Sequence, residues 1–227
     1  MDIHPLHKYP QDALDKLLSA IPFYRVVKEN DPYQFDILMS HSSIIEYRPG
    51  ELVLERGQVD HWLYFLVKGQ LEVRASEGAE PNTILNYITP GELFGDLSML
   101  VNCERTANVV ADANCRKVVV FGTDFTIFGK LSDEQPITLE TKLIYFRNMV
   151  HNLRWKLEVY RGLFPEQSFA SEHRKVKLYS GLKDTFSELE SLDEQAKQLA
   201  HLLIHWNHEF ARQAQSPIGR DMLAAYG

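Results

Sequence analysis

Cysteine is almost missing from this chain. Cys103 and Cys115 are the two in 227 residues, which rules out a disulfide framework. A basic excess is missing too. Lys and Arg number 24 against 31 Asp and Glu, a formal net charge of -7, so capture of nucleic acid by the field of the whole chain is excluded. Long apolar runs are absent, since Trp62 to Val67 is far short of the roughly 20 residues of a spanning helix. The opening Met-Asp-Ile-His-Pro lacks the basic and apolar regions of a secretory leader, so a cytoplasmic location is expected. No G-x-S-x-G, H-E-x-x-H or C-x-x-C occurs. From Gly122 to Gly129-Lys130 the gap is too long for a P-loop, and no Ser or Thr follows the lysine. With no catalytic constellation, an enzyme is not expected. At 44% hydrophobic and 24% charged, the composition is that of a globular protein.

What the chain does have is a change of period. Residues 12–20 read as a short amphipathic helix with Leu14, Leu17 and Leu18 on one side, stopped by Ile21-Pro22. Asp31-Pro32 reads as an N-cap and first position of a second helix, running to about His41. Period-two runs follow at 43–47, 51–55, 62–68, 70–75, 83–88, 105–111 and 115–121, separated by turn signals such as Pro49-Gly50, Gly57, Gly69 and Pro90-Gly91. Residues 76–82, with Gly78 and Pro81, read as a polar surface loop. Many short strands with regular turns predict a β-roll or jelly roll.

Beyond Phe121 the pattern is helical. Residues 124–130 form a short helix, and Ser132-Asp133-Glu134-Gln135 matches a capping box that opens a long helix over 136–161, about 39 Å at ~1.5 Å per residue. Gly162 and Pro165 end it. A further helix over 169–190, interrupted at Ser180-Gly181, is expected next. A second capping box at Ser191-Leu192-Asp193-Glu194 opens a last helix to about Gln215, ended by Ser216-Pro217. The predicted class is α+β. A mainly-β jelly roll with short N-terminal helices occupies residues 1–133, and a helical extension occupies 134–227.

Residues 91–107, G-E-L-F-G-D-L-S-M-L-V-N-C-E-R-T-A, hold the densest chemistry. Gly91 and Gly95 let a backbone approach a ligand closely. Residues 96–100 can form a helical turn whose free N–H groups face an anion. Arg105 adds a fixed positive fork suited to phosphate. Asp96 repels phosphate and accepts from hydroxyls. A phosphate with a nearby vicinal hydroxyl is a nucleotide.

Phe94-Gly95-Asp96-Leu97 with Arg105-Thr106-Ala107 resembles the phosphate-binding cassette of cyclic-nucleotide-binding domains. Those domains occur in the catabolite activator protein, in kinase regulatory subunits and in cyclic-nucleotide-gated channels. The family pattern is F-G-E-[LI]-x-L followed by R-[AST]-A, and the resemblance runs from about Ile21 to about Lys130, including Tyr47 to Glu51, Gly57 and Leu66 to Val73. It implies a regulatory ligand, cAMP or cGMP, and no cofactor. It implies that Arg105 pairs with the cyclic phosphate, that the backbone around Gly95–Ser98 completes the cradle, and that Asp96 takes the ribose hydroxyl. Thr106 sits where the family contacts phosphate or base. The ligand-binding set is then Phe94, Gly95, Asp96, Leu97, Ser98, Arg105, Thr106 and Ala107. Aspartate stands at 96 where the family has glutamate, one methylene longer. Arg105-Thr106-Ala107-Asn108 resembles cGMP-responsive members, although channels preferring cAMP also carry threonine there.

On the long helix Leu139, Leu143, Phe146, Val150, Leu153, Leu157 and Tyr160 keep 4-3 spacing, a coiled-coil seam. It predicts a homodimer through 136–161, or packing within the chain. Lys142, Arg147, Arg154, Lys156 and Arg161 flank the seam, opposed on the helix only by Glu140, so acidic neighbours such as Asp184, Glu188 and Glu194 are expected to pack along it. His201, His205 and His208 share a face opposite Leu199, Leu202, Leu203, Trp206 and Phe210, and read as solvated rather than as a metal site. Cys103 reads as a small filler. The sole basic cluster, Arg174-Lys175 and Lys177, has no helix-turn-helix around it, so nucleic acid is not expected as a partner. The function expected is a cyclic-nucleotide receptor whose C-terminal helices relay occupancy, with a protein partner at those helices. The alternatives are a degenerate module that binds proteins without ligand, and a transcription regulator with an unrecognised DNA-binding segment.

Overall fold

The computed structural model describes residues 1–19, 21–74 and 84–213. The expected loop over 76–82, the strand ends at Ala75 and Thr83, Ala20, and the helix stop at Ser216-Pro217 lie outside those residues.

Two antiparallel sheets form the roll. One has the order β1(Asp2–Pro5), β2(Ser42–Tyr47), β9(Val118–Asp124), β4(Trp62–Lys68), β7(Leu93–Phe94), and the other β3(Leu52–Leu54), β8(Asn108–Ala111), β5(Leu71–Arg74), β6(Ile84–Ile88). The alternation of strand side chains explains why β4 is apolar almost throughout. Tyr64 and Leu66 point between the sheets with Ile45, Val120 and Leu71, while Leu63 and Phe65 point outward into a second core with Phe121 and the helices. A sheet buried on both faces reads as a continuous apolar run.

Helices α1(Gln11–Ser19), α2(Pro22–Asn30) and α3(Pro32–Ser40) form part of the outward core. Asp31 caps α3, accepting from Gln34 N at 3.1 Å. The first helix ends before Ile21-Pro22, as the sequence predicts, but Pro22 also opens α2, which was not expected, because a proline at the first helical position gives up an N–H that has no partner anyway. Tyr24 of α2 is fully buried and its hydroxyl bonds Thr123 Oγ1, which also meets Ser42 Oγ at 2.7 Å. Burial holds the Tyr24 hydroxyl neutral. Strand β1, also unexpected from sequence, adds an edge to β2.

The long helix is α5(Leu139–Leu163), not 136–161. The start moves because the buried Gln34 amide clamps the backbone ahead of it: Nε2 donates to Pro136 O and Oε1 accepts from Thr138 N, both at 3.0 Å. Thr138, rather than the box at 132, then caps Thr141. Of the helix expected over 169–190, residues 186–190 are helical as the start of the last helix, and the rest is a connection with one 3-10 turn, Glu172–Lys175. The second capping box lies inside α6(Phe186–Gln213), since Leu189, Leu192 and Ala196 bury an apolar stripe that begins before it. Arg105 to Ala107 and Cys115 to Lys117, expected in strands, lie outside them.

Helices α5 and α6 lie side by side and run the same way. Arg147 meets Glu188 at 2.7 Å and Asp184 at 2.8 Å, Arg154 donates to Gln195 Oε1 at 3.2 Å, and the Tyr160 and Trp206 rings are 5.7 Å apart. The seam residues Phe146, Val150, Leu153 and Leu157 are buried inside the chain. The large apolar residues of α5 left exposed are instead Trp155, Val159 and Leu163, at i, i+4 and i+8. Glu194, a third expected acidic neighbour, pairs with Gln198 on its own helix at 2.7 Å.

Candidate functional site

The cassette residues form β7, then the six-residue helix α4(Asp96–Val101), then an extended segment to Ala107. Gly95 precedes α4 at φ 83, and a Cβ there would stand 3.0 Å from an Arg105 amine and 3.1 Å from the Tyr64 ring. That close approach lets the guanidinium lie beneath the loop. Arg105 is 4% exposed. Its backbone is pinned by Arg105 N to Gln58 O at 2.9 Å and Gly57 N to Arg105 O at 3.0 Å.

All five guanidinium N–H groups have acceptors in the chain. Nη1 donates to Gly95 O, and to Ser98 Oγ at 2.9 Å. Nη2 donates to Asp60 Oδ1, and to Trp62 O at 3.1 Å; Nε reaches Asp60 Oδ2 at 3.4 Å. Asp60 was missed by the sequence reading. The carboxylate also takes Trp62 N at 2.9 Å, an Asx turn, which is the only local signal it carries.

Asp96, at the first position of α4, is 3% exposed, and its Oδ2 has no hydrogen-bond partner among the described residues. A buried carboxylate oxygen without a donor is costly, which is why such groups mark sites. Tyr145 of α5 lies near it. Burial first, and then the Asp96 charge, push the Tyr145 hydroxyl well above its ordinary range.

Phe94, Gly95, Asp96, Leu97, Ser98, Arg105, Thr106 and Ala107 all line one cavity of about 120 Å³. Its far wall is the second sheet, with Val73, Asn86 and Tyr87. Its roof is helical: Lys156 and Tyr160 from α5, Leu203 and Asn207 from α6. Asn86 Nδ2 donates to the Tyr160 hydroxyl at 3.3 Å, and Lys156 Nζ to Leu93 O at 3.1 Å, so the roof is tied to the roll on both sides. Burial raises the Tyr160 hydroxyl to about 12, so it stays a neutral donor and acceptor. The roof residues were not in the expected site, because periodicity placed Tyr160 and Leu203 in packing faces.

The other candidates fall elsewhere. His201, His205 and His208 are exposed, and among the described residues no three His, Cys, Asp or Glu side chains gather to hold a metal. Arg174 pairs with Glu158 and Lys175 with Glu172, both at 2.6 Å, so most of the basic cluster is neutralised. Cys103 is half-buried with its thiol pushed up by burial, and donates to Glu104 O at 3.3 Å.

Residues 44–128 match the family model described as cyclic nucleotide-binding domain. Isozyme 1 of the cGMP-dependent protein kinase of Drosophila melanogaster is 29% identical over 152 residues, 66% of this chain and 18% of that protein. The human potassium/sodium hyperpolarization-activated cyclic nucleotide-gated channel 3 is 39% identical over 91 residues, 40% of this chain and 11% of the channel. A solved structure, the regulatory subunit of a cAMP-independent protein kinase A from Trypanosoma brucei, shares 26% identity with a TM-score of 0.41, over 50% of this chain and 38% of that one. The matched stretches are thus less than a fifth of both curated relatives. The cassette, its arginine and the strands that carry them all lie inside the range, residues 44–128, that matches the cyclic nucleotide-binding domain model.

Proposed function

We propose that the chain is a cyclic-nucleotide receptor with a regulatory rather than catalytic role, in which Arg105 faces the cyclic phosphate, the backbone of Gly95–Ser98 completes the cradle and Asp96 accepts from the ribose hydroxyl. One observation carries the reading: a buried carboxylate with a bare oxygen and a buried guanidinium share one cavity beneath two helices. A neutral hydroxyl donor is what Asp96 lacks. The curated relatives named for cGMP and for cyclic nucleotides support the ligand class. The cavity volume, about 120 Å³, is below the roughly 300–1,000 Å³ of sites that enclose a small molecule, so a nucleotide enters by lifting the roof. Occupancy then moves α6, a population shift in proportion to the differential affinity of the ligand for the two arrangements. The roll over 1–133 is the receiving unit and 134–227 the relay. The chain acts in the cytoplasm; no described helix is long and apolar enough to cross a membrane. Any self-association through α5 uses Trp155, Val159 and Leu163, the face α6 leaves open.

One observation favours a second reading, a module that binds no nucleotide. Arg105 already has five acceptors, and Asp60 supplies its countercharge. Isothermal titration of ligand-stripped protein with cAMP and with cGMP separates the two. The receptor reading expects saturable heat with at least one nucleotide. It also expects Arg105→Ala to weaken binding by about 10- to 100-fold, the worth of a charge-assisted contact. No heat and no thermal stabilisation at millimolar nucleotide establishes the non-binding module.

A further inference from the structure

A second cavity lies on the other side of α4. It is about 380 Å³, larger than the one under the roof, and nothing in the function above uses it. Leu100 of α4 forms one wall. The facing wall is aromatic, with Phe125 and Phe128 stacked at 4.1 Å and Tyr145 5.2 Å from Phe128. The lining is also cationic, with Lys130, Lys142 and Lys197.

The three ammonium groups differ in what they can offer. Lys142 is 2% exposed and spends itself on loop carbonyls, at 2.6 Å to Lys130 O, 2.6 Å to Asp133 O and 3.4 Å to Leu131 O. It builds the wall rather than binding. Lys197 pairs with Asp193 at 2.6 Å. Lys130 is exposed and engaged through its backbone, its N–H with Asp133 and its carbonyl with Lys142 and Asp133 N. Asp193 is the lining carboxylate and Asp133 adjoins Lys130 behind it, so three ammonium groups are set against two carboxylates, leaving one net positive charge over an aromatic floor. A flat aromatic ring gains by stacking there, and an attached anion gains by facing Lys130 and Lys197.

We propose that this cavity binds a small aryl anion, with the ring against Phe125, Phe128 and Tyr145 and the charge toward Lys130 and Lys197, and that its occupancy is felt by the cassette. The coupling has two carriers. Helix α4 presents Asp96 to Ser98 to the first cavity and Met99 and Leu100 to the second. Tyr145 lines the second cavity, and it also feels the Asp96 charge at the first. An occupant that shifts either one changes where Asp96 stands. This coupling, unlike the binding itself, rests on the receptor reading above.

The test is a fluorescence titration of the intact chain with anilinonaphthalene sulfonate, an aryl monoanion that brightens in apolar surroundings, on protein shown by circular dichroism to melt cooperatively. The expected result is one saturable site. Lys130→Glu and Lys197→Glu, both at solvent-facing side chains, each weaken it at least ten-fold, and Lys130→Arg leaves it within three-fold. Lys156→Gln, on the other cavity, does not weaken it. Absence of saturable binding overturns the proposal, as does binding that responds to Lys156→Gln and not to Lys130→Glu, which puts the probe under the roof. With the dye saturating, the affinity for cAMP or cGMP is expected to shift at least three-fold; an unshifted affinity overturns the coupling. If neither nucleotide binds while the dye keeps its lysine dependence, the receptor reading falls and the second site stands.

Discussion

At the scale of single residues the decisive pair is Arg105 and Asp96, and the two are buried on opposite terms. Arg105 is saturated by acceptors, whereas Asp96 carries an unpartnered oxygen in a nearly closed site. Asp96→Asn removes a desolvated charge and keeps the shape. It is therefore expected to raise stability by about 1 kcal/mol, the lower end of the penalty for an unsatisfied buried polar group, while weakening nucleotide binding at least ten-fold. Calorimetric melting beside titration checks it; a variant that melts lower would show that Asp96 has donors in the folded chain. Asp96→Glu adds a methylene to a side chain 3% exposed, so overpacking is expected to lower affinity rather than restore the family's reach. The cassette residues were legible because spacing and residue type lie within one short stretch. Asp60 was not, since it reaches Arg105 from 45 residues away across a turn and no local pattern announces a long-range ion pair.

At the scale of elements, the seam on α5 was read correctly as a contact face, but sequence could not name its partner. A heptad stripe describes a surface needing cover, and both a second copy and α6 supply the same apolar chemistry. What distinguished them was charge: the prediction of acidic neighbours led to Asp184 and Glu188, which bracket Arg147. Val150→Glu therefore places a carboxylate in an intramolecular core. The expected result is a loss of several kcal/mol, or failure to fold, by urea denaturation, and not a clean dimer-to-monomer change by light scattering. Trp155→Ser, on the open face, is expected to leave stability within about 0.5 kcal/mol. The connection between the helices was misread as a helix because its residues suit one. It is held out of an α-helix by partners that local propensity does not include: Arg154 donates to His173 O and Val176 O at 3.0 Å, and Glu158 holds Arg161 and Arg174.

Glu158 also gives the element a pH signature. Arg161 first, then Arg174, hold its carboxyl down from 4.5 to about 2. A depressed carboxylate stabilises the fold fully above its unfolded value, and that contribution is lost as pH falls toward the folded value. The window is therefore about 4.5 down to 2. Stability of the native chain should fall as pH drops through that window, and Glu158→Gln should flatten this part of the profile while lowering stability at neutral pH. Identical slopes for native and variant in thermal melts between pH 5 and 3 would assign the acid sensitivity to other carboxylates, Glu188 foremost.

At the scale of the whole molecule, the question is whether the roof is a lid or a plug. The cavity beneath Leu203, Asn207, Lys156 and Tyr160 is about 120 Å³, below the roughly 300–1,000 Å³ of sites that enclose a small molecule, and under the receptor reading proposed above binding and roof displacement are linked. Leu203 is the test residue, being 4% exposed and on α6 directly over the cavity. Leu203→Ala removes about 2–5 kcal/mol of packing that includes the closed arrangement. If the roof opposes binding, part of that energy no longer has to be overcome, and affinity for the nucleotide should rise by up to about ten-fold although the protein melts lower. If the roof instead grips the base, the same change should weaken binding by about as much. Hydrogen exchange gives the same answer independently: with ligand bound, a displaced roof exchanges faster over 199–209 while α4 slows, whereas a gripping roof slows in both. Slower exchange over 199–209 together with weaker binding by Leu203→Ala would make α6 a clamp, and the relay would then have to run through α5 and its Lys156–Leu93 contact.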